Sequence, residues 1–342
     1  MSGKLKTLLI VIFLVPLFIV DVVRYFSLPS VDETEHRAEI RIRRGQALSV
    51  IADSLQSKGL IEDKKLFLFW AVSLGYEKSI KAGIFHVPYG LNYAQVAHFL
   101  ADTPAQNISV TLIEGWTNEQ IAAELAEVFD LKRSKLDSLF TARAFLKKLG
   151  IPAANIRGYL LPDTYSLTYG IKEEQIVSFL VKKTLKIFEP DSIRQLLTER
   201  NMDVHRVLTL ASIIEGEAIL DEERPLIASV YCNRLKRGMK LQADPTVQFL
   251  LPGKPRRLLY KDLKIDSPYN TYLHKGLPPG PINNPGKASI MAALYPERTP
   301  YLYFVAKGDG THVFSRNASE HARAKAAFNR VRRQVKREKI YN

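Results

Sequence analysis

The most constraining feature of this chain is an apolar segment, LASIIEGEAILDEERPL at 210–226, which carries two carboxylates, Glu215 and Glu217. Its hydrophobic residues recur at helical spacing, which predicts a core helix that continues through Leu220. At about 3.6 residues per turn, Glu215 shares a face with Ile219, and Glu217 lies close to the stripe that contains Leu220. Burial of a carboxyl at the edge of an apolar wall disfavours its charged form, as a general acid requires. An ordinary amphipathic helix with both glutamates in solvent is the alternative.

The amino-terminal run LLIVIFLVPLFIV, at 8–20, predicts a membrane segment. It is short for a bilayer span, which takes about 20 residues, and it equally suits the core of a signal peptide. The stretch 7–26 is long enough if its charged residues lie at the outer interface. No clear cleavage site follows, so we expect an uncleaved anchor within 1–30. Lys4 and Lys6 precede the run, which predicts a cytoplasmic amino terminus and places the rest of the chain outside the membrane.

The composition limits the classes of partner. The 342 residues are enough for about two or three domains, and the formal net charge of +14 predicts an anionic partner. The basic residues are dispersed without interleaved aromatics, so we expect no nucleic acid and favour acidic phospholipid or an anionic cell wall. The single cysteine excludes an intramolecular disulfide and a thiolate metal cluster. Without an HExxH motif or a glycine-rich phosphate loop, we expect no metal and no cofactor.

Three segments share one spacing: IRIRRGQALSVIADSL at 40–55, FHVPYGLNYAQVAHFL at 85–100 and VTLIEGWTNEQIAAEL at 110–125. In each, a strand-like stretch reaches a glycine, a β-branched residue and an alanine follow, and a leucine comes last. The pattern predicts a strand, a turn at the glycine, and a short helix that packs back on the strand. The first segment resembles the lysin motif (LysM), a small module that binds N-acetylglucosamine polymers. Glycan binding and a role as a spacer both stay open.

The amino-acid composition of the chain changes after residue 204. The region 131–200 reads as mostly helical, whereas glycine and proline are dense in KGLPPGPINNPG at 275–286. A rigid loop of that kind often shapes a binding surface. The stretches YLYFV at 301–305 and HVFS at 312–315 predict a β-hairpin. Helices and short strands together predict an α+β fold.

Six stretches of the chain resemble the endolytic murein transglycosylases, also called the YceG-like family. They are RGYLLPDTY, LASIIEGE, ERPLIASVYCNRL, MKLQADPTVQ, SPYNTYLHKGLPPGPINNPG and YLYFVAKGDGTHVFS, in the family's order over residues 157–315. The resemblance implies a single transmembrane helix within 1–30, a LysM-like α+β subdomain at 38–104, and a larger α+β catalytic domain at 201–342. The region 105–200 would hold the third strand–helix segment and a helical connection.

The resemblance also implies a catalytic residue. The family's pattern S-I-[VI]-E-x-E has a catalytic first glutamate, which corresponds to Glu215, and Gly216 stands where the family commonly has lysine. Such enzymes cleave the β-1,4 bond between N-acetylmuramic acid and N-acetylglucosamine within glycan strands. Glu215 would protonate the glycosidic oxygen and then accept the proton of the muramyl C6 hydroxyl, which attacks C1 and closes a 1,6-anhydro ring. One carboxyl is sufficient because the substrate supplies the nucleophile, whereas ordinary glycosidases use two.

Other residues in the resembling stretches have side chains that could bind N-acetyl and hydroxyl groups or orient Glu215. These substrate-binding or supporting candidates are Glu217, Gln242, Asp244, Thr246, Tyr269 and Asn270. The alternative is that they only fix the loops around Pro245 and Pro268. Glu217 is predicted to be a supporting partner of the site and not a second acid.

The expected partners are peptidoglycan strands, the membrane, and peptidoglycan synthases during wall assembly. The expected location is the cytoplasmic (inner) membrane, with the catalytic domain outside. Two other functions stay open. One is a non-catalytic scaffold that binds the cell wall, and the other is a true glycan hydrolase that uses Glu215 with Glu217 or Asp244.

Overall fold

The computed structural model describes residues 36–253 and 255–341. The anchor predicted within 1–30 lies outside these residues. Among the residues that are described, no helix combines the length and the apolar character that a membrane crossing needs.

The chain forms two compact units. The first contains the described residues up to 109 together with 165–171, and the second contains 110–164 and the residues from 172 onward. Both units mix helices with small two-stranded sheets, so the α+β class is confirmed. The finer division into domains made from the sequence stays a prediction.

The first unit is built on one antiparallel strand pair. Its elements are β1 (Arg37–Ile42), α1 (Leu48–Ser57), α2 (Lys64–Ser73), a 3₁₀ turn (Tyr76–Lys78), β2 (Gly83–Pro88) and α3 (Tyr93–Asp102). In the register of the pair, Arg37 lies opposite Pro88 and Ile42 opposite Gly83. Alternate residues of β1 are buried, and they pack in one core with residues of the helices.

The second unit is mostly helical. Its helices are α4 (Asn118–Phe129), α5 (Arg133–Leu139), α6 (Arg143–Lys148), α7 (Glu173–Lys186), α8 (Asp191–Glu199), α9 (Val204–Glu217), α10 (Arg224–Lys236), α11 (Asp244–Gln248), α12 (Lys287–Leu294) and α13 (Ala318–Tyr341). Strands β3 (Asn107–Thr111) and β4 (Thr164–Thr168) pair with each other, and the chain passes from one unit to the other within each of them.

The predicted β-hairpin of the second unit is confirmed. Strands β5 (Tyr303–Ala306) and β6 (His312–Ser315) are antiparallel, with Tyr303 opposite Ser315. The loop at 275–286 contains no helix or strand, as its glycines and prolines predict.

The strand–glycine–helix geometry predicted for three segments is confirmed. Gly45, Gly90 and Gly115 each lie between a strand and a helix, with φ of 72°, 84° and 75°. This left-handed region is open to glycine at little cost, so the turn explains why glycine recurs there. The β-branched residue, the alanine and the leucine of each segment are all buried.

The structure contains a fourth segment of the same kind. Gly170, with φ of 89°, lies between β4 and α7, and buried Ile176 and Val177 follow at the same spacing. The sequence comparison missed this copy because Val177 replaces the alanine. The region 131–200 consists mainly of helices, as predicted, but it also contains β4.

Helix α9 is the centre of the second unit. Its residues 207–214 are all buried, and it packs against α10 and α12. The prediction that the helix continues through Leu220 was wrong: Ala218 has φ −79° and ψ 129°, and Ile219 is 72% exposed. The extended backbone at Ala218 ends the apolar stripe, and a 3₁₀ turn then leads into α10. The end of α9 places Glu215 and Glu217 on its last turn.

Candidate active site

An open cleft of about 1150 Å³ lies in the second unit at the carboxyl-terminal end of α9. Both glutamates of the last turn line it. Other parts of its wall come from the turn before α4, from α11 and from the loop at 255–258. Residues distant in sequence therefore meet at the end of one buried helix.

Glu215 is enclosed in this wall, with only 6% of its side chain exposed. Its Oε1 accepts a hydrogen bond from Nη1 of Arg224 at 3.1 Å, and its Oε2 accepts one from the backbone N–H of Gly286 at 2.9 Å. The apolar setting predicted for this carboxyl was wrong, because both of its oxygens have polar partners. Sequence periodicity misses this, since Arg224 belongs to the next helix and Gly286 to a distant loop.

Arg224 is the buried cation of the site, with 5% of the residue exposed. Its Nε donates to Asp221 at 2.7 Å and its Nη1 to Oγ of Ser289 at 2.5 Å, while Nη2 lies 3.7 Å from Oε2 of Glu114. Desolvation lowers the pKa of Arg224, but the bonds to Asp221 and the charge of Glu215 outweigh it and raise the pKa overall. The guanidinium thus stays charged while it holds several carboxylates.

Glu114 is a site residue that the sequence reasoning missed. It lines the cleft with 47% of its side chain exposed, and its carboxyl lies against Gly286. A Cβ at Gly286 would lie 1.8 Å from Oε1 of Glu114, so a larger residue there would displace the Glu114 carboxyl. Partial burial and the nearby charge of Glu215 raise the pKa of Glu114. One signal was present: the residue before the turn glycine is a carboxylate only in the third strand–glycine–helix segment.

Glu217 has a different environment from Glu215. Its Oε1 accepts a hydrogen bond from the hydroxyl of Tyr231 at 2.8 Å. Desolvation raises the pKa of Glu217 to about 7, although the bond from Tyr231 acts in the opposite direction. Nearby Asp244, at the start of α11, accepts a hydrogen bond from the hydroxyl of Tyr272 at 2.6 Å. Both carboxyls line the cleft, together with Glu215.

Two of the other predicted residues hold loops together by buried hydrogen bonds. Thr246 donates to the carbonyl of Ala243 at 2.7 Å and lies 2.8 Å from the hydroxyl oxygen of Thr271. Asn270 donates to the carbonyl of Ile265 at 2.8 Å. Neither residue is in the cleft wall, so their contacts fit the loop-fixing alternative, and a supporting role in catalysis stays a prediction.

Gln242 and Tyr269 also lie outside the cleft wall. Gln242 has φ of 50° and accepts a hydrogen bond from Arg234 at 3.4 Å. The ring of Tyr269 is 5.0 Å from the ring of Phe249, centroid to centroid. Phe249 does line the cleft, so Tyr269 packs behind the wall through this ring.

A second group of missed residues lies along the wall. Trp116, Arg157, Phe249 and Asn283 line the cleft, and the guanidinium of Arg157 lies 4.7 Å from the centroid of the Phe249 ring. Cation–π attraction of this kind holds the guanidinium of Arg157 against the ring. In the described ranges, no group of three or more His, Cys, Asp or Glu residues is arranged to hold a metal ion.

An open cleft with an enclosed carboxyl, a buried arginine and aromatic walls has the groups that acid–base catalysis requires, and this is the class of site that the fold presents. The chain belongs to the YceG-like family, whose sequence profile matches residues 40–327.

Three proteins are similar to this chain over most of its length. A protein named "Endolytic murein transglycosylase" from Bacillus subtilis (strain 168) is 34% identical over 316 residues, which are 88% of this chain and 87% of that protein. One of the same name from Streptococcus pneumoniae (strain D39) is 28% identical over 323 residues, covering 83% of this chain and 57% of that protein. A crystal structure of a YceG-like protein from Listeria monocytogenes matches with a TM-score of 0.58 and 34% identity, over 84% of this chain and 98% of that one.

Proposed function

We propose that this chain is an endolytic murein transglycosylase, a lyase that cleaves the β-1,4 bond between N-acetylmuramic acid and N-acetylglucosamine within glycan strands. The observation that carries the proposal is the enclosed carboxyl of Glu215 in an open cleft of about 1150 Å³. Family membership and the names of the similar proteins support the same activity. An open cleft admits the middle of a long strand, as internal cleavage requires.

The contacts of Glu215 fit a reaction in which one group serves first as acid and then as base. Glu215 gives its proton to the glycosidic oxygen while the bond from C1 to that oxygen breaks. The carboxylate that forms is stabilised by Arg224 at 3.1 Å and by the N–H of Gly286 at 2.9 Å. It then takes the proton of the muramyl C6 hydroxyl while that oxygen bonds to C1. The product end is 1,6-anhydro-N-acetylmuramic acid, and no water is consumed.

Mass spectrometry of the products tests this proposal. Purified glycan strands digested in ¹⁸O-labelled water should give unlabelled anhydro ends, and the cuts should lie inside long strands. Labelled reducing ends would contradict the transglycosylase reaction. A complete absence of cleavage would instead favour a non-catalytic scaffold.

A two-carboxylate hydrolase is the second candidate, and one observation favours it. Glu217, with its pKa raised to about 7, and Asp244 line the same cleft as Glu215. A hydrolase needs a second carboxylate to activate water. Both groups already accept hydrogen bonds from buried or partly buried tyrosines, Tyr231 and Tyr272, which fits a structural role better. The labelled-water experiment separates the two reactions.

We also propose that residues 1–30 anchor the enzyme in the cytoplasmic membrane, with the amino terminus in the cytoplasm and the cleft outside. Lys4, Lys6 and the apolar run at 8–20 support this orientation. A reporter fused after Asn342 should be active only outside the cytoplasm. A mature protein that begins near Ser30 would replace the anchor with a cleaved signal.

The first unit is proposed to be LysM-like, and the element order β1–α1–α2–β2 supports this. It would guide nascent glycan strands, and an association with peptidoglycan synthases would place the enzyme where those strands form. Binding of the full-length protein to insoluble peptidoglycan, compared with a variant altered only in this unit, tests the glycan contact. Cross-linking to synthases in membranes tests the association.

A further inference from the structure

Glu114 and Glu215 form a pair of carboxyls that the reaction described above uses only in part. Glu114 has 47% of its side chain exposed, whereas Glu215 has 6% exposed. Both touch Gly286: its N–H donates to Glu215, and its α-carbon lies against the carboxyl of Glu114. Both carboxyls therefore line the cleft, and they differ in how far each is exposed to solvent.

Arg224 is the cation that the two carboxyls share with a third. It lies 2.7 Å from Asp221, 3.1 Å from Glu215 and 3.7 Å from Glu114. With all three ionised, three negative charges would surround one positive charge. Carboxylates that share a site in this way favour retention of a proton. Asp221 has 73% of its side chain exposed, so water screens its charge, and the proton belongs to the two less exposed carboxyls.

We propose that Glu114 and Glu215 share one proton beside Arg224, which makes Glu114 a positioning residue that keeps the acid form of Glu215 populated. The inference rests on the proposed function. During cleavage the proton passes from Glu215 to the glycosidic oxygen while the bond from C1 to that oxygen breaks. Glu215 then takes the C6 hydroxyl proton while the bond from O6 to C1 forms. The pair ends with the single proton with which it began, so the next cycle needs no proton from solvent.

The charged groups around Glu114 come from neighbouring elements. Glu215 lies on α9, Asp221 in the 3₁₀ turn and Arg224 on α10, while Lys287 on α12 is exposed. Partial burial and the charge of Glu215 raise the pKa of Glu114, as a shared proton requires.

The pH dependence of kcat/KM in Glu114→Gln tests the proposal. The substitution removes the carboxyl that shares the proton, so the alkaline limb of kcat/KM should move about one pH unit toward acid. Activity at the acid end should stay within a few-fold of the wild-type value. Glu114→Asp, which keeps the charge, should retain the wild-type limb. Glu127→Gln, an equal change of charge on the exposed side of α4, is the matched control. A loss by the same factor at every pH, or an unmoved limb, would overturn the proposal.

A second measurement does not depend on glycan cleavage. Carbon-13 NMR of labelled glutamate carboxyls should show Glu114 and Glu215 titrating together in two coupled steps, reduced to one step in Glu114→Gln. Independent titrations of the two carboxyls would refute the shared proton even in an active enzyme. Labelled reducing ends in ¹⁸O water, with coupled titrations intact, would refute the transglycosylase reaction and leave the pair in place.

Discussion

Glu215 and Glu217 lie on the same last turn of α9, yet their carboxyls have different hydrogen-bond donors. Glu215 accepts hydrogen bonds from a buried guanidinium and a backbone N–H. Glu217 accepts one from the Tyr231 hydroxyl, and desolvation raises its pKa to about 7. A raised pKa alone would select Glu217 as the acid. The donors around Glu215 instead stabilise its carboxylate, the form that develops as the acid gives up its proton. Stabilisation of a charge that develops in the transition state lowers the barrier of the reaction.

The largest expected effect separates the two glutamates by activity. Glu215→Gln should reduce glycan cleavage by about 10²–10⁴-fold, because an amide cannot give and retrieve a proton. Glu217→Gln should keep a measurable fraction of the activity. Cleavage rates on purified strands check this, with circular dichroism to confirm that both variants are folded. If the two variants exchange these behaviours, Glu217 is the catalytic carboxyl.

The stability of the folded protein should also depend on the cation that pairs with Glu215, Arg224. Arg224→Gln leaves enclosed Glu215 without its cation, so the free energy of unfolding should fall by about 3–5 kcal/mol. Arg133→Gln is the comparison, because Arg133 pairs with Asp137 at 3.5 Å with both side chains about half exposed, and it should lose less than about 1 kcal/mol. Urea denaturation measures both values. Equal losses in the two variants would mean that Arg224 contributes little to the site.

Burial of Glu217 should make the free energy of unfolding depend on pH. The pKa of Glu217 is raised from 4.5 to about 7 in the folded protein, so the folded state binds more protons between these values. This stabilisation is fully present below pH 4.5 and is lost as the pH rises through about 7, by up to about 3 kcal/mol.

Glu217→Gln should remove that dependence. The free energy of unfolding of the variant minus that of the wild type, measured in urea from pH 4.5 to 8, should rise with pH. Glu127→Gln should show no such trend. A constant difference across the range would place Glu217 in an environment that does not disfavour its charge.

The smallest expected effect concerns Gly216, which separates the two glutamates. A Cβ at Gly216 would lie 2.6 Å from Cβ of Pro245 at the start of α11. Overpacking costs about 1–3 kcal/mol, and the gain in helix propensity of about 1 kcal/mol offsets part of it. Gly216→Ala should therefore destabilise by about 1 kcal/mol in thermal unfolding. A gain in stability would show that α11 moves away freely and does not constrain the last turn of α9.

The sequence predicted the existence of α9, the β5–β6 hairpin and three of the strand–glycine–helix segments. Each of these depends on local spacing of residue types. The surroundings of Glu215 could not be predicted in this way. Arg224 comes from the following helix, Gly286 from a distant loop, and Glu114 from a turn about a hundred residues earlier. Periodicity also did not predict the end of α9 at Ala218: Gly216 lies inside the last turn, and the apolar spacing of the sequence continues to Leu220.

Cleavage of matched glycan strands with and without O-acetylation of the muramyl C6 hydroxyl tests the central claim most directly. If that hydroxyl is the nucleophile, one carboxyl, Glu215, is sufficient, and the acetylated strands should resist cleavage while the matched deacetylated strands are cut. Equal cleavage of both, with reducing ends on the products, would contradict the account and identify a hydrolase that activates water with a second carboxylate.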